Sequence, residues 1–286
     1  MSPRQIAVFR VLWRTVNVLL IASLLFVGYA GMWEYSIRRY LKGFSDAVVP
    51  ANLSPELKVE AILNWIRTGP HRPLTVKPEE LAFRDPETTL NYRQLLAICG
   101  TATNAFLNLS RSSGLDARRL LLLTPEHETK HVVAEVLIDG RWIIVDPTFR
   151  AILRDDQGHM LTRKDLQNPL IFAQATGKLP NYLPIYNYQS YAHVRLARLP
   201  LNGLGLRHLL QTFYPQWDEA FDWSLLLERE SFFFFFVSTF FLVFFCILRF
   251  ILAWYADHRL RVPRYHFRRH IVRAGASILS TPEIEE

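Results

Sequence analysis

Only two cysteines, Cys99 and Cys246, occur among the 286 residues, which excludes a disulfide-stapled scaffold. Cys246 falls inside a long apolar run and Cys99 outside it, so the two are not expected to pair. A lone thiol in a domain exposed to oxidising conditions is unusual and calls for a chemical explanation. Charge is the second scarcity. The run "TVNVLLIASLLFVGYAGMW", Thr15 to Trp33, has no charged residue and lies between Arg14 and Glu34. Nineteen residues at about 1.5 Å each span a hydrocarbon core of about 30 Å. A second run, "SFFFFFVSTFFLVFFCILRFILAWYA", starts at Ser231 and carries one charge, Arg249. Phenylalanine at this density suits a helix facing lipid, with Arg249 able to snorkel and Trp254 and Tyr255 as interfacial anchors.

The net charge of +7 is also unevenly placed. Residues 1–33 carry three Arg and no acid, residues 34–230 carry 23 basic against 22 acidic residues, and residues from 231 on carry seven Arg against four acids. Basicity confined to the flanks of two apolar runs is the positive-inside pattern, with both flanks cytoplasmic. No nucleic-acid recognition motif accompanies the charge, so no nucleic-acid partner is expected. The tail "HRLRVPRYHFRRHIVR" is suited to anionic headgroups. The expected organisation is a cytoplasmic segment 1–14, a span 15–33, an extracytoplasmic domain 34–230 with its core at 55–150, a span 231–254 and a basic cytoplasmic tail 255–286. A cleaved signal peptide ending near Gly28–Ala30 is the alternative for the first span.

Within the domain, "RRYLKGFSDAVVPANLSP" reads as a connector. "SPELKVEAILNWIRTGP" reads as a helix, with Ser54 as N-cap, Pro55 at its first position, a stripe of Leu57, Ala61, Ile62, Trp65 and Ile66, and Gly69-Pro70 as its stop. "HRPLTVKPEELAFRDPETT" is loop. A second helix begins at or beside Cys99, buries Ala102, Ala105, Phe106 and Leu109, and stops at Gly114, after which "ARRLLLL" reads as a buried strand. A thiol at a helix N-terminus is favoured as thiolate by the helix dipole, whereas a small buried hydrophobe is the ordinary role of a free cysteine.

"HVVAEVLIDGRWIIVDP" reads as a β-hairpin turning at Asp139-Gly140. Pairing Ile138 with Arg141 sets Val133 opposite Asp146. His131 and Asp146 then become diagonal neighbours on one face, about 7–8 Å apart at the backbone. The other face carries Val132, Ala134, Val136, Ile138, Ile143 and Val145, suited to packing on a helix. Cys99, His131 and Asp146 are thus candidates for nucleophile, proton carrier and orienting carboxylate.

These residues, in "CGTATNAFLNLSRSSGLDARRL", "HVVAEV" and "DGRWIIVDPT", resemble the transglutaminase-like superfamily, over roughly residues 55–150. The chain departs from the family pattern at Val133, where an aromatic is usual, and at Ala97-Ile98, where glycine is usual. The resemblance implies an α+β, papain-like core with the catalytic helix on an antiparallel sheet. It also implies cysteine-dependent acyl transfer on peptide or protein amides, without cofactor or metal. The Cys99 backbone N–H would supply one oxyanion donor, with Gln94 or Tyr92 as the second.

Two rival readings stand beside it. "HETKH", His127 to His131, spells the H-E-x-x-H zinc motif, which needs both histidines on one helical face with Glu128 as base. A catalytically inactive domain that binds peptide or polymer is the other. Asn52 and Asn108 match the glycosylation pattern. "NYLPIYNYQSY" either lines a groove or covers the core, and "GLGLRHLLQTFYPQWDEAFDWSLLLERE" reads as interfacial through Trp217, Phe221 and Trp223. Expected partners are the amide substrate, the bilayer and other envelope or membrane proteins.

Overall fold

The structure is a computed structural model that describes residues 3–68, 86–90, 95, 98–126, 128–194, 212–214 and 223–260. The chain forms two compact units, residues 1–28 with 237–286, and residues 29–236. In the first, Phe9 and Ala256 are buried together with Trp13 and Leu252 against them, and the Arg249 guanidinium lies 5.4 Å from the centre of the Trp13 ring.

Seven helices and five strands are described. Helix α1 covers Pro3–Val48 and α2 Pro55–Thr68. A short α3 at Pro86–Leu90 precedes α4, Cys99–Ser112. Strands β1 (Ala117–Leu123), β2 (Thr129–Ile138), β3 (Arg141–Asp146) and β4 (Ala151–Ile152) follow, then α5 (Pro169–Thr176) and β5 (Tyr191–Ala192). Helices α6 (Trp223–Glu228) and α7 (Glu230–Tyr255) follow, and a π-helical turn, Ala256–Leu260, closes the described chain. Helices α1 and α7 are long and apolar enough to cross a membrane. The expected connector after Trp33 is helical: α1 continues to Val48, because Ile37 and Leu41 bury into the domain core and reward the extra turns.

The sheet is antiparallel, in the order β4-β3-β2-β1-β5. Its hairpin pairs Ile138 with Arg141 and Ala134 with Val145, the register read from the Asp-Gly turn. Asp139 at φ 48° and Gly140 at φ 74° supply the two positive dihedrals that a tight turn with the twist of the strands requires. One sheet face carries Ala134, Val136, Ile138, Ile143 and Val145 against Ala105, Phe106 and Leu109 of α4. Helix α2 adds Val59, Ile62, Leu63 and Ile66. Its stripe is rotated from expectation. Leu57 is 52% exposed and Val59 and Leu63 face in, because α2 packs against both α1 and α4 and therefore buries a wider arc. Ser54 caps α2 as expected, its Oγ accepting from Leu57 N–H at 3.5 Å.

Helix α4 is buried from Thr101 to Ser110, polar residues included. Buried polar groups need partners. Thr103 Oγ1 donates to the Val132 carbonyl at 3.0 Å, tying α4 to β2, and Asn108 Nδ2 donates to Asn104 Oδ1 at 2.9 Å. Arg229, the residue before α7, donates to Asn108 Oδ1 at 2.8 Å and to Glu34 Oε1 at 3.1 Å, and Ser231 Oγ donates to Glu34 Oε2 at 2.7 Å. Asn108, 3% exposed and engaged at both ends of its amide, is not available to a glycan, whereas Asn52 is exposed.

Glu34 and Arg229 are therefore a buried ion pair that also holds α4. Arg229→Met removes one of two cations on this carboxylate and leaves Arg38, whose Nε lies 2.7 Å from Oε1, as the other, an expected loss of about 1–3 kcal/mol, checked by thermal unfolding in detergent. The double change Glu34→Gln with Arg229→Met should recover most of it.

Candidate active site

Cys99 is the first residue of α4, where its N–H has no acceptor within the helix. Thr101 closes the turn: its Oγ1 donates to the Ile98 carbonyl at 2.9 Å and accepts from Ile98 N–H at 3.3 Å. The half-buried thiol packs with Leu121, Leu123 and Val132 of the sheet and Ala192 of β5. His131 lies on β2, two residues beyond the start of the strand, and Asp146 is the last residue of β3. Their side chains meet at 2.7 Å between Nε2 and Oδ2, at 2% and 0% exposure. The other carboxylate oxygen accepts from Thr148 N–H at 3.0 Å and Phe149 N–H at 3.2 Å, which fixes the plane of Asp146.

With Nε2 committed to Asp146, Nδ1 is the nitrogen left for Cys99, whose thiol and the imidazole act on each other electrostatically. Burial alone would lower the His131 pKa. The bonds to Asp146 and Cys99 and their charges overcome it and raise the ring from 6.5 to about 9. Burial likewise pushes the Cys99 thiol up, but the His131 hydrogen bond and charge, together with a backbone hydrogen bond at Val132, bring it below its ordinary 9.0. At neutral pH the pair is thus biased toward thiolate and imidazolium, a nucleophile with a proton donor beside it.

Aromatic rings surround the imidazole. Tyr186 stacks on it with ring centres 4.3 Å apart and planes 16° apart, while Phe149 and Tyr182 meet it edge-on at 5.9 and 6.2 Å. The Tyr182 oxygen lies 3.5 Å from that of the fully buried Tyr188. Burial and the Asp146 charge push the Tyr182 phenol well above its ordinary range, so it stays protonated. Of the two readings of "NYLPIYNYQSY", its rings Tyr182 and Tyr186 serve the surroundings of His131 and Tyr188 the core. The tyrosine clustering is visible in the sequence; their target is not.

A second buried charge group escaped the sequence reading. Glu135, 1% exposed, receives Arg118 Nε at 2.7 Å and His193 Nε2 at 2.9 Å, with Arg163 at 3.8 Å. Burial would raise its pKa, yet the His193 bond and the charges of Arg118, His193 and Arg163 hold it below the carboxylate range. Each partner comes from a different part of the chain, so the group ties β2 to β1, to the stretch before α5 and to the end of β5.

The remaining candidates separate. Gln94, Tyr92 and His127 lie outside the described residues, as do Trp217 and Phe221. Glu128 is exposed. The zinc motif requires a helix, but Thr129–Ile138 is a strand, so the spacing from His127 to His131 does not give the single helical face the motif needs. Cys246 is exposed on α7.

Residues 42–147 match the family model of the transglutaminase-like superfamily. This region is a transglutaminase-like domain. It holds Cys99, His131 and Asp146 and ends one residue after the aspartate, so the tyrosines around His131 come from outside it. No curated protein and no solved structure matches the chain.

Alkylation of Cys99 by iodoacetamide, followed by peptide mapping, is expected to have its pH midpoint below the ordinary thiol range, about 8.5. Asp146→Asn removes the main support of the imidazolium and should move that midpoint upward. Because the folded His131 pKa exceeds its ordinary 6.5, the stability contributed by the ring is fully present below pH 6.5 and is lost as pH rises through about 9.

Proposed function

We propose that the protein is a membrane-anchored, cysteine-dependent acyl-transfer enzyme acting on peptide or protein amides. The observation that carries this reading is the buried His131–Asp146 hydrogen bond at 2.7 Å, with Cys99 at a helix N-terminus and coupled electrostatically to the imidazole. The Cys99 thiolate attacks the amide carbonyl carbon, and the oxyanion forms next to the Cys99 backbone N–H. The His131 imidazolium passes its proton to the leaving amine, leaving a thioester on Cys99. The neutral imidazole then takes a proton from the incoming water or amine, the thioester bond breaks, and Cys99 is released. Water makes the enzyme an amidase or protease, and an amine makes it a cross-linker.

Anchoring is argued from the two apolar helices. Leu25 is 70% and Phe250 73% exposed, positions that favour lipid over water. The arginines outside the apolar runs favour residues 1–14 and 255–286 on the cytoplasmic side, with residues 34–230 on the periplasmic or extracellular side. Substrates are then peptides, envelope proteins or cell-wall peptide.

Cys99→Ala and His131→Ala are expected to abolish turnover of a peptide amide, and Asp146→Ala to reduce it by roughly 10²-fold or more. His127→Ala and a zinc chelator should leave it nearly intact. Adding a primary amine and following its incorporation separates cross-linking from hydrolysis. Wild-type function surviving Cys99→Ala, with Cys99 inert to alkylation at neutral pH, would assign a binding module instead.

A further inference from the structure

Tyr186 lies beyond the residues matched to the superfamily model, yet among the described residues its ring is the closest aromatic partner of His131. We propose that Tyr186 is a positioning residue whose ring face holds the His131 imidazole between Cys99 and Asp146 and favours its charged form. The proposal rests on the reading of Cys99 and His131 as an acyl-transfer pair.

Four observations carry it. The stack is face to face, at 4.3 Å and 16°, which sets the negative face of the phenol ring against the imidazole. The hydrogen bond to Asp146 constrains the ring through one nitrogen only, so rotation about that bond is limited by what lies on the ring's faces. Tyr186 is itself held: it closes a 3-10 turn begun by Pro184, whose φ is fixed by its ring, and Tyr182 meets it edge-on at 5.6 Å. The segment is also pinned immediately after Tyr186. Lys130 Nζ, the neighbour of His131, donates to Asn187 Oδ1 at 3.1 Å, Tyr188 is fully buried, Leu123 N–H donates to the Ser190 carbonyl at 2.8 Å, and Tyr191 pairs with Leu122. Among the described residues, the titratable groups that face His131 are Cys99 of α4, Asp146 of β3, and the Tyr182 and Tyr186 phenols. Of these, Tyr186 alone offers a ring face parallel to the imidazole.

A ring that only fills space and one that supports an imidazolium differ in what an aliphatic replacement does to the thiol. The test follows alkylation of Cys99 by iodoacetamide against pH, by peptide mapping of the full-length protein in detergent. Tyr186→Phe and Tyr186→Trp keep a ring face and should retain the wild-type midpoint. Tyr186→Leu and Tyr186→Met remove it and should raise the midpoint by roughly 0.5–1 pH unit, the size expected for a partly desolvated cation–π contact. Two aliphatic variants are used so that failure of one to fold does not end the test. A folded Leu or Met variant with the wild-type midpoint overturns the role of Tyr186 while leaving the acyl-transfer reading in place. A wild-type Cys99 that alkylates only above pH 8.5, like an ordinary thiol, overturns the acyl-transfer reading and this inference with it.

Discussion

The hydrogen bond between His131 and Asp146, 2.7 Å long and shut away from water, is the contact around which the domain is arranged. A buried carboxylate is costly unless its oxygens are satisfied. Asp146 meets that condition with the imidazole on one oxygen and two backbone N–H groups of the following turn on the other. The same bond leaves the second nitrogen of His131 facing α4, where Cys99 begins the helix. Hairpin, turn and helix terminus thus converge on one proton-transfer line, and the electrostatics of each member depends on the next.

Convergence of this kind requires α4 to stay in register with the sheet, which is hard for a helix with so many polar residues buried. Its asparagines and threonines are not idle. Thr103 ties the helix to Val132, adjacent to His131, and Asn108 joins it to Arg229 and through that to Glu34. Helix α1, through Glu34, and the residue that precedes α7 are in this way linked to the helix that carries the thiol. Lys58 Nζ adds a cation at the α4 C-terminus, donating to the Ser113 carbonyl at 2.9 Å, where the helix dipole favours positive charge.

Legibility of these features follows their range along the chain. The hairpin register was readable because Asp139-Gly140 selects one turn geometry and the strand repeat of two does the rest. The end of α4 was readable because Gly114 and the apolar spacing bounded it. The stripe of α2 was misread in part: Leu57 fits the period as well as Val59 does, and the choice between them is made by the position of α1. The connector after Trp33 was misread for a similar reason, since its helical continuation is rewarded only by the domain that Ile37 and Leu41 enter.

Sequence alone determined where the chain is apolar enough to span a bilayer, where the hairpin turns, and that a histidine and an aspartate share one strand face near a lone cysteine. These are consequences of local backbone preference and of short-period patterning. Tertiary structure alone decided that Tyr186 stacks on the imidazole, that Tyr182 meets it edge-on, and that Glu34 meets Arg229 across 195 residues of sequence. Contacts of that range leave no periodic trace in the sequence. They arise only when the packed core brings distant segments together and makes an unpaired buried charge or an exposed ring face the costlier arrangement.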